Sequence, residues 1–123
     1  MTKPWKVRTK VCVIDLDGTI TQFTHTLNEI GKLKLGAKST LHKLKSAGFK
    51  IIIDTARPQD HSNKVRKYLL FHKVPFDEVR CGLKPASDYY IDDKSIRFTS
   101  WKDVFLAISK DNPELRRKIN KKD

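Results

Sequence analysis

Three short apolar runs, each stopping on charged or polar residues, constrain this chain more than any other feature. The first, VCVIDLDGTI over residues 11–20, ends in Asp15 and Asp17 around a single leucine and breaks at Gly18. The second, FKIIID over 49–54, is rich in β-branched residues and is followed by Thr55 and Arg57. A third candidate covers 77–81, with Lys84 shortly after it. Such runs fit buried strands of a parallel sheet. Between the first two, Gly36 and Gly48 bound a segment in which Ala37, Leu41, Leu44 and Ala47 share one helical face, with lysines on the other. Beyond the second, Pro58 suits a first helical turn, and Val65, Tyr68, Leu69 and His72 keep helical spacing towards Lys73. Two more strands are expected over 89–91 and 96–98. A last helix is expected over 101–109, with Val104, Phe105 and Ile108 inward. The alternation predicts an α/β fold: a single Rossmann-like three-layer αβα domain with a mostly parallel sheet of about five strands.

At 123 residues the chain is expected to form one domain over 1–123, with a core over about 8–109 and a basic, polar tail over about 110–123. No apolar run approaches the ~20 residues that span a bilayer, and no signal-peptide pattern follows the cationic first ten residues. Two cysteines, Cys12 and Cys81, make no disulfide framework and read as free thiols, so a reducing, cytoplasmic setting is expected. The net charge of +12 is uneven: residues 32–50 hold six lysines and no acid, while 74–103 carry five cations against six acids. A basic surface speeds encounter with phosphorylated ligands and polyanions, but a solvated lysine-rich helix face explains it as well.

In a doubly wound sheet, ligands gather at the carboxyl ends of the strands. Four polar clusters fall there: Asp15 with Asp17, Thr55 with Arg57, Lys84, and Asp92 with Asp93. An aspartate pair before glycine can simply shape a turn. Several carboxylates at one sheet edge repel one another, which raises their pKa values or recruits a cation. Hard oxygen ligands suit Mg²⁺, whereas His25, His42, His61 and His72 show no zinc-like spacing with acids.

As an ordered set, IDLDGT, IIIDTARP and LKPASDYYIDDK resemble the motifs of the haloacid dehalogenase-like superfamily, as a small capless phosphatase. The resemblance implies that Asp15 is the nucleophile, forming an aspartyl-phosphate. It implies that Asp17 protonates the leaving oxygen and then activates water. Thr55 would bind the phosphoryl oxygens. Lys84 would offset the repulsion between nucleophile and substrate. Mg²⁺ would be held by Asp15, Asp92 and Asp93 with a backbone carbonyl of the first motif, from Leu16 or Asp17. Asp92 and Asp93 could instead be turn residues before Lys94. Arg57 either reaches the substrate phosphate bidentately or pairs with Asp54 or Asp60.

The stretches 19–37 and 55–84 leave no room for more than a minimal cap. An open site implies a neighbouring subunit as lid, in a homo-oligomer, or a substrate that covers itself. A small phosphomonoester, a sugar phosphate or a nucleotide, is the expected substrate. The phosphorylated 3′ end of a nucleic acid is the alternative, favoured by the charge but without interleaved aromatics: Trp5, Trp101, Tyr89 and Tyr90 are scattered. A non-catalytic phosphate or nucleic-acid binding module is a third reading. A membrane partner is not expected.

Overall fold

The computed structural model describes residues 10–85 and 87–115. Three strands, β1 (Val11–Ile14), β2 (Lys50–Thr55) and β3 (Glu78–Cys81), pair in parallel in that order. The register sets Ile14 beside Ile53, and Ile53 beside Val79. Three helices, α1 (Ala37–Ser46), α2 (Ser62–Phe71) and α3 (Trp101–Asp111), complete the order, with a short 3₁₀ turn at Gln59–His61 leading into α2. The basic tail beyond Leu115, residues 8 and 9 of the expected core, and Trp5 lie outside the described residues.

The connections β1–α1–β2 and β2–α2–β3 step in the same direction across the sheet. Right-handed crossovers therefore put α1 and α2 on the same face. On that face Ile14, Ile51, Ile53, Val79 and Cys81 meet Leu41 and Leu44 of α1, Val65 and Leu69 of α2, and Trp101 and Phe105 of α3 in one buried cluster. Burying each large aliphatic of this set contributes about 1.5–3 kcal/mol. The opposite face leaves Val11 and Val13 exposed. The parallel α/β architecture stands. Among the described residues, three of the about five expected strands pair.

The two missing strands have a physical reason. Tyr89, Tyr90 and Ile91 are exposed, Ile91 at 99%, so no neighbouring surface rewards their extension. A three-residue run offers few ladder bonds against an ordering cost of about 1–2 kcal/mol per residue. The run at 96–98 is likewise irregular.

Helix ends explain the other boundaries. After α1, Gly48 takes φ +92°, and the N–H groups of Gly48 and Phe49 donate to the carbonyls of Lys45 (3.0 Å) and Leu44 (3.1 Å). This is a Schellman stop, and glycine enters it without a Cβ penalty. α2 closes the same way but with Lys73 at φ 58°. That stop ends α2 at Phe71, two residues short of the expected limit at Lys73. At α3, Ser100 accepts from the Asp103 N–H at 3.1 Å, an N-cap. Both cysteines are free; burial pushes the Cys12 thiol up to about 11, away from a reactive thiolate, and Cys81 is buried.

Candidate active site

β1 and β2 are adjacent, so the residues that follow them emerge side by side. Asp15 leaves the end of β1, Thr55 closes β2, and Lys84 follows β3 within a few residues. Lys84 Nζ stands 3.4 Å from Asp15 Oδ1, and the Thr19 hydroxyl donates to Asp15 Oδ2 at 3.3 Å. Both ends of the ion pair face solvent in part, Asp15 at 37% and Lys84 at 22%. The Lys84 ammonium also lies 5.0 Å from the centre of the Tyr90 ring.

The turn after β1 is built around the Leu16 carbonyl. It accepts from the N–H groups of Thr19 (3.2 Å), Ile20 (2.9 Å) and Thr21 (3.0 Å) and from the Thr21 hydroxyl (3.3 Å). Leu16 itself is fully buried. With that oxygen consumed, the Leu16 alternative for a metal-binding carbonyl falls away. The Trp101 indole donates to the Thr19 carbonyl at 2.9 Å, so the start of α3 pins the same turn. Gly18 has φ +83°, and a Cβ there would stand 2.5 Å from the Phe23 ring, which covers the turn.

Arg57 pairs with neither Asp54 nor Asp60. Its Nε donates to Asp17 Oδ2 at 2.9 Å and its Nη2 to Asp17 Oδ1 at 2.8 Å, a bidentate fork. Nη1 and Nη2 also donate to the carbonyls of Leu27 (3.0 Å) and Glu29 (2.7 Å). The Asp17 hydrogen bond holds the guanidinium even further from deprotonation than usual, against burial, which acts the other way. Thr55 is buried, and its hydroxyl oxygen accepts from the Arg57 N–H at 3.2 Å.

The fold therefore brings together Asp15, Asp17, Thr55, Arg57 and Lys84. It does not add Asp92 and Asp93. Both are exposed, and Asp92 Oδ1 accepts from the Lys94 N–H at 2.7 Å, the arrangement of a turn residue. Among the described residues no three His, Cys, Asp or Glu side chains are placed to hold a metal ion. Asp17 is committed to Arg57, and Asp15 to Lys84 and Thr19. Asp15 and the Asp17 backbone carbonyl lie at this edge as oxygen groups that could hold Mg²⁺, while Asp92 and Asp93 form no ligand cluster with them among the described residues. In the side chains themselves, two acids are flanked by two cations. Sequence reasoning missed Thr19 and Phe23; the GT after the aspartate pair carried a signal for the first, and an isolated aromatic gave none for the second.

Two surface depressions, one along Leu33–His42 and one around Gln22 and Phe98–Trp101, are lined by none of these site residues. Asp15, with its side chain 37% exposed, is open to solvent. Among the described residues no helix is long and apolar enough to cross a membrane.

A parallel sheet with its acids, lysine and arginine gathered at the carboxyl edge defines an α/β core of Rossmann-like build. Within that class the chain belongs to the haloacid dehalogenase-like hydrolases, whose sequence model matches residues 12–81. No curated protein matches it. Among solved structures, a structural-genomics target from Vibrio cholerae is similar at 23% identity and a TM-score of 0.60, over 85% of this chain and 100% of that one. A conserved protein from Bacteroides thetaiotaomicron is similar at 18% identity and a TM-score of 0.64, over 85% and 93%. At these identities the likeness concerns the fold alone.

Proposed function

We propose that the protein is a phosphatase that hydrolyses a phosphomonoester through an aspartyl-phosphate on Asp15. The observation that carries this reading is the Lys84 ammonium 3.4 Å from the Asp15 carboxylate at an open sheet edge, in a chain of this hydrolase family. A carboxylate is a competent covalent nucleophile, but a phosphate dianion repels it. Lys84 sits where it can attract both, so that Asp15 reaches phosphorus and the ester oxygen leaves. Asp17, two residues on, is the group to give that oxygen its proton and then take one from the attacking water, which frees Asp15 and phosphate. Thr55, at the end of the adjacent strand, is the neutral group to donate to the phosphoryl oxygens.

The family generally uses Mg²⁺. The Asp15 carboxylate and the Asp17 backbone carbonyl would hold it, and it would supply positive charge to the phosphoryl oxygens. The open edge favours a substrate that excludes water by itself or through a neighbouring copy of the chain. A small phosphomonoester, a sugar phosphate or nucleotide, is the leading substrate class. The 3′-phosphorylated end of a nucleic acid is the second reading. Two exposed rings support it, Tyr90 against Lys84 and Phe23 over Gly18, as surfaces on which a base can stack.

Turnover of para-nitrophenyl phosphate, lost in Asp15→Asn, tests the reaction; full activity in that variant would remove Asp15 as nucleophile. A panel of sugar phosphates, nucleotides and 3′-phosphorylated oligonucleotides separates the substrate classes. Dominant oligonucleotide turnover that falls steeply with salt would favour the second reading.

A further inference from the structure

We propose that Arg57 is a positioning residue that couples the loop over residues 22–32 to the Asp17 carboxylate, and that it does not bind the substrate phosphate. The inference rests on the phosphatase reading for its consequence in catalysis, but not for the coupling itself.

The guanidinium has five N–H donors, and four are engaged: two by Asp17, one by the Leu27 carbonyl and one by the Glu29 carbonyl. Its side chain is 2% exposed. Bidentate phosphate recognition needs a free, accessible fork, and none is left. The loop it grips is closed at its base by backbone bonds, Gln22 N–H to the Lys32 carbonyl and Lys34 N–H to the Ile20 carbonyl, both 2.8 Å. Its far side hangs on three side chains of the β2–α2 region. Lys64 donates to the Asn28 carbonyl, and the Tyr68 hydroxyl donates to the Gly31 carbonyl at 2.6 Å. Arg57 is the third, and of these three it alone also holds Asp17.

The same loop carries Phe23, 79% exposed, against the Gly18 turn. The loop wall that a leaving group meets and the carboxylate that exchanges its proton are thus fixed by one cation. A leaving group that displaces the loop pulls on the guanidinium that aligns Asp17. Selectivity would then be read in turnover, since misplacement by about 1 Å costs roughly 100-fold.

The test uses the full chain with Arg57→Lys, Arg57→Ala, Lys64→Ala and Asp17→Asn, each first checked for a cooperative thermal transition. Lysine keeps the charge but not the fork. With para-nitrophenyl phosphate, Arg57→Lys should lower kcat by about tenfold or more. Inhibition by orthophosphate should stay within about twofold, because the phosphate contacts are untouched. Guanidinium added to Arg57→Ala should restore part of kcat. Lys64→Ala removes a loop tether that does not itself touch Asp17, and should lower kcat less than Arg57→Lys does. Because coupling is reciprocal, Asp17→Asn should speed amide exchange across 22–34, as Arg57→Lys does.

A tenfold weaker orthophosphate inhibition with kcat retained would make Arg57 a phosphate ligand and overturn the proposal. So would unchanged loop exchange in both Arg57→Lys and Asp17→Asn. If the wild-type protein turns over no phosphomonoester, the phosphatase reading fails, and the exchange measurement still decides the coupling.

Discussion

Replacing Lys84 by methionine removes the ammonium while keeping the length and most of the volume of the side chain. If Lys84 keeps from a phosphoryl oxygen the 3.4 Å it keeps from Asp15, the attraction between unit charges there is about 5 kcal/mol at an effective dielectric of about 20, and about 1 kcal/mol in bulk water. Lys84 is partly exposed, so the working value lies between these limits. At roughly 1.4 kcal/mol per tenfold in rate, kcat/KM should fall about ten- to thousandfold, with about a hundredfold as the central expectation. The loss should depend on substrate charge. Phosphate esters lose their second proton near pH 6, so the deficit should be larger at pH 7.5, against the dianion, than at pH 5, against the monoanion. Lys84→Arg keeps the charge and should lose less. The fold should survive, since a half-exposed ion pair contributes at most about 1 kcal/mol. Steady-state kinetics with para-nitrophenyl phosphate at both pH values makes the comparison. A loss under threefold, or one of equal size at both pH values, would refute the electrostatic role given to Lys84.

Asp77 accepts from the Ile51 N–H at 2.7 Å and from Lys45, which together hold its carboxyl below the usual carboxylate range. A depressed folded pKa contributes stability above the unfolded value and loses it as pH falls through the folded one. Asp77→Ala should therefore cost about 2 kcal/mol in urea unfolding at pH 7, with the gap to wild type closing towards pH 2.5. Lys73, the left-handed residue ending α2, spends about 1–2 kcal/mol on its backbone, so Lys73→Gly should gain about 0.5–1 kcal/mol after the added chain entropy, read as a higher thermal midpoint. Because the family generally uses Mg²⁺, turnover of para-nitrophenyl phosphate should fall in EDTA and return with millimolar Mg²⁺. A rise of several degrees in the thermal midpoint with Mg²⁺ would show the acids gathering around a cation in solution.

Legibility in the sequence followed how much of each feature is local. β1, β2 and β3 were readable because their apolar runs are also the core: Ile14, Ile51, Ile53 and Val79 are buried where the pattern put them. Residues 89–91 carry an equally apolar run, yet a strand needs a neighbour. No property of Tyr89, Tyr90 or Ile91 alone states that they stand exposed. Asp15 and Lys84 were legible as strand-end groups in a parallel sheet, a topological rule that needs no side-chain geometry.

Arg57 shows where such reading stops. Its sequence neighbours Asp54 and Asp60 were the natural partners to weigh, and neither holds it. The partner is an acid 40 positions away, supplied by strand pairing. Ile14 and Ile53 share a rung, and Asp17 lies three residues past it on one strand while Arg57 lies four past it on the other. Two chains leaving adjacent parallel strands at the same level travel together for about one turn. The nearest opposite charge is then the one across the rung, not the one along the chain. Counting outward from the register would have found the pair, but the register itself is what the sequence withholds: a shift of one residue would flip every side chain of β2 to the other face. The burial of Ile51 and Ile53 under the helices forbids that shift. The packing of the core thus decides which acid Arg57 meets, and with it how the proton-exchanging carboxylate is held.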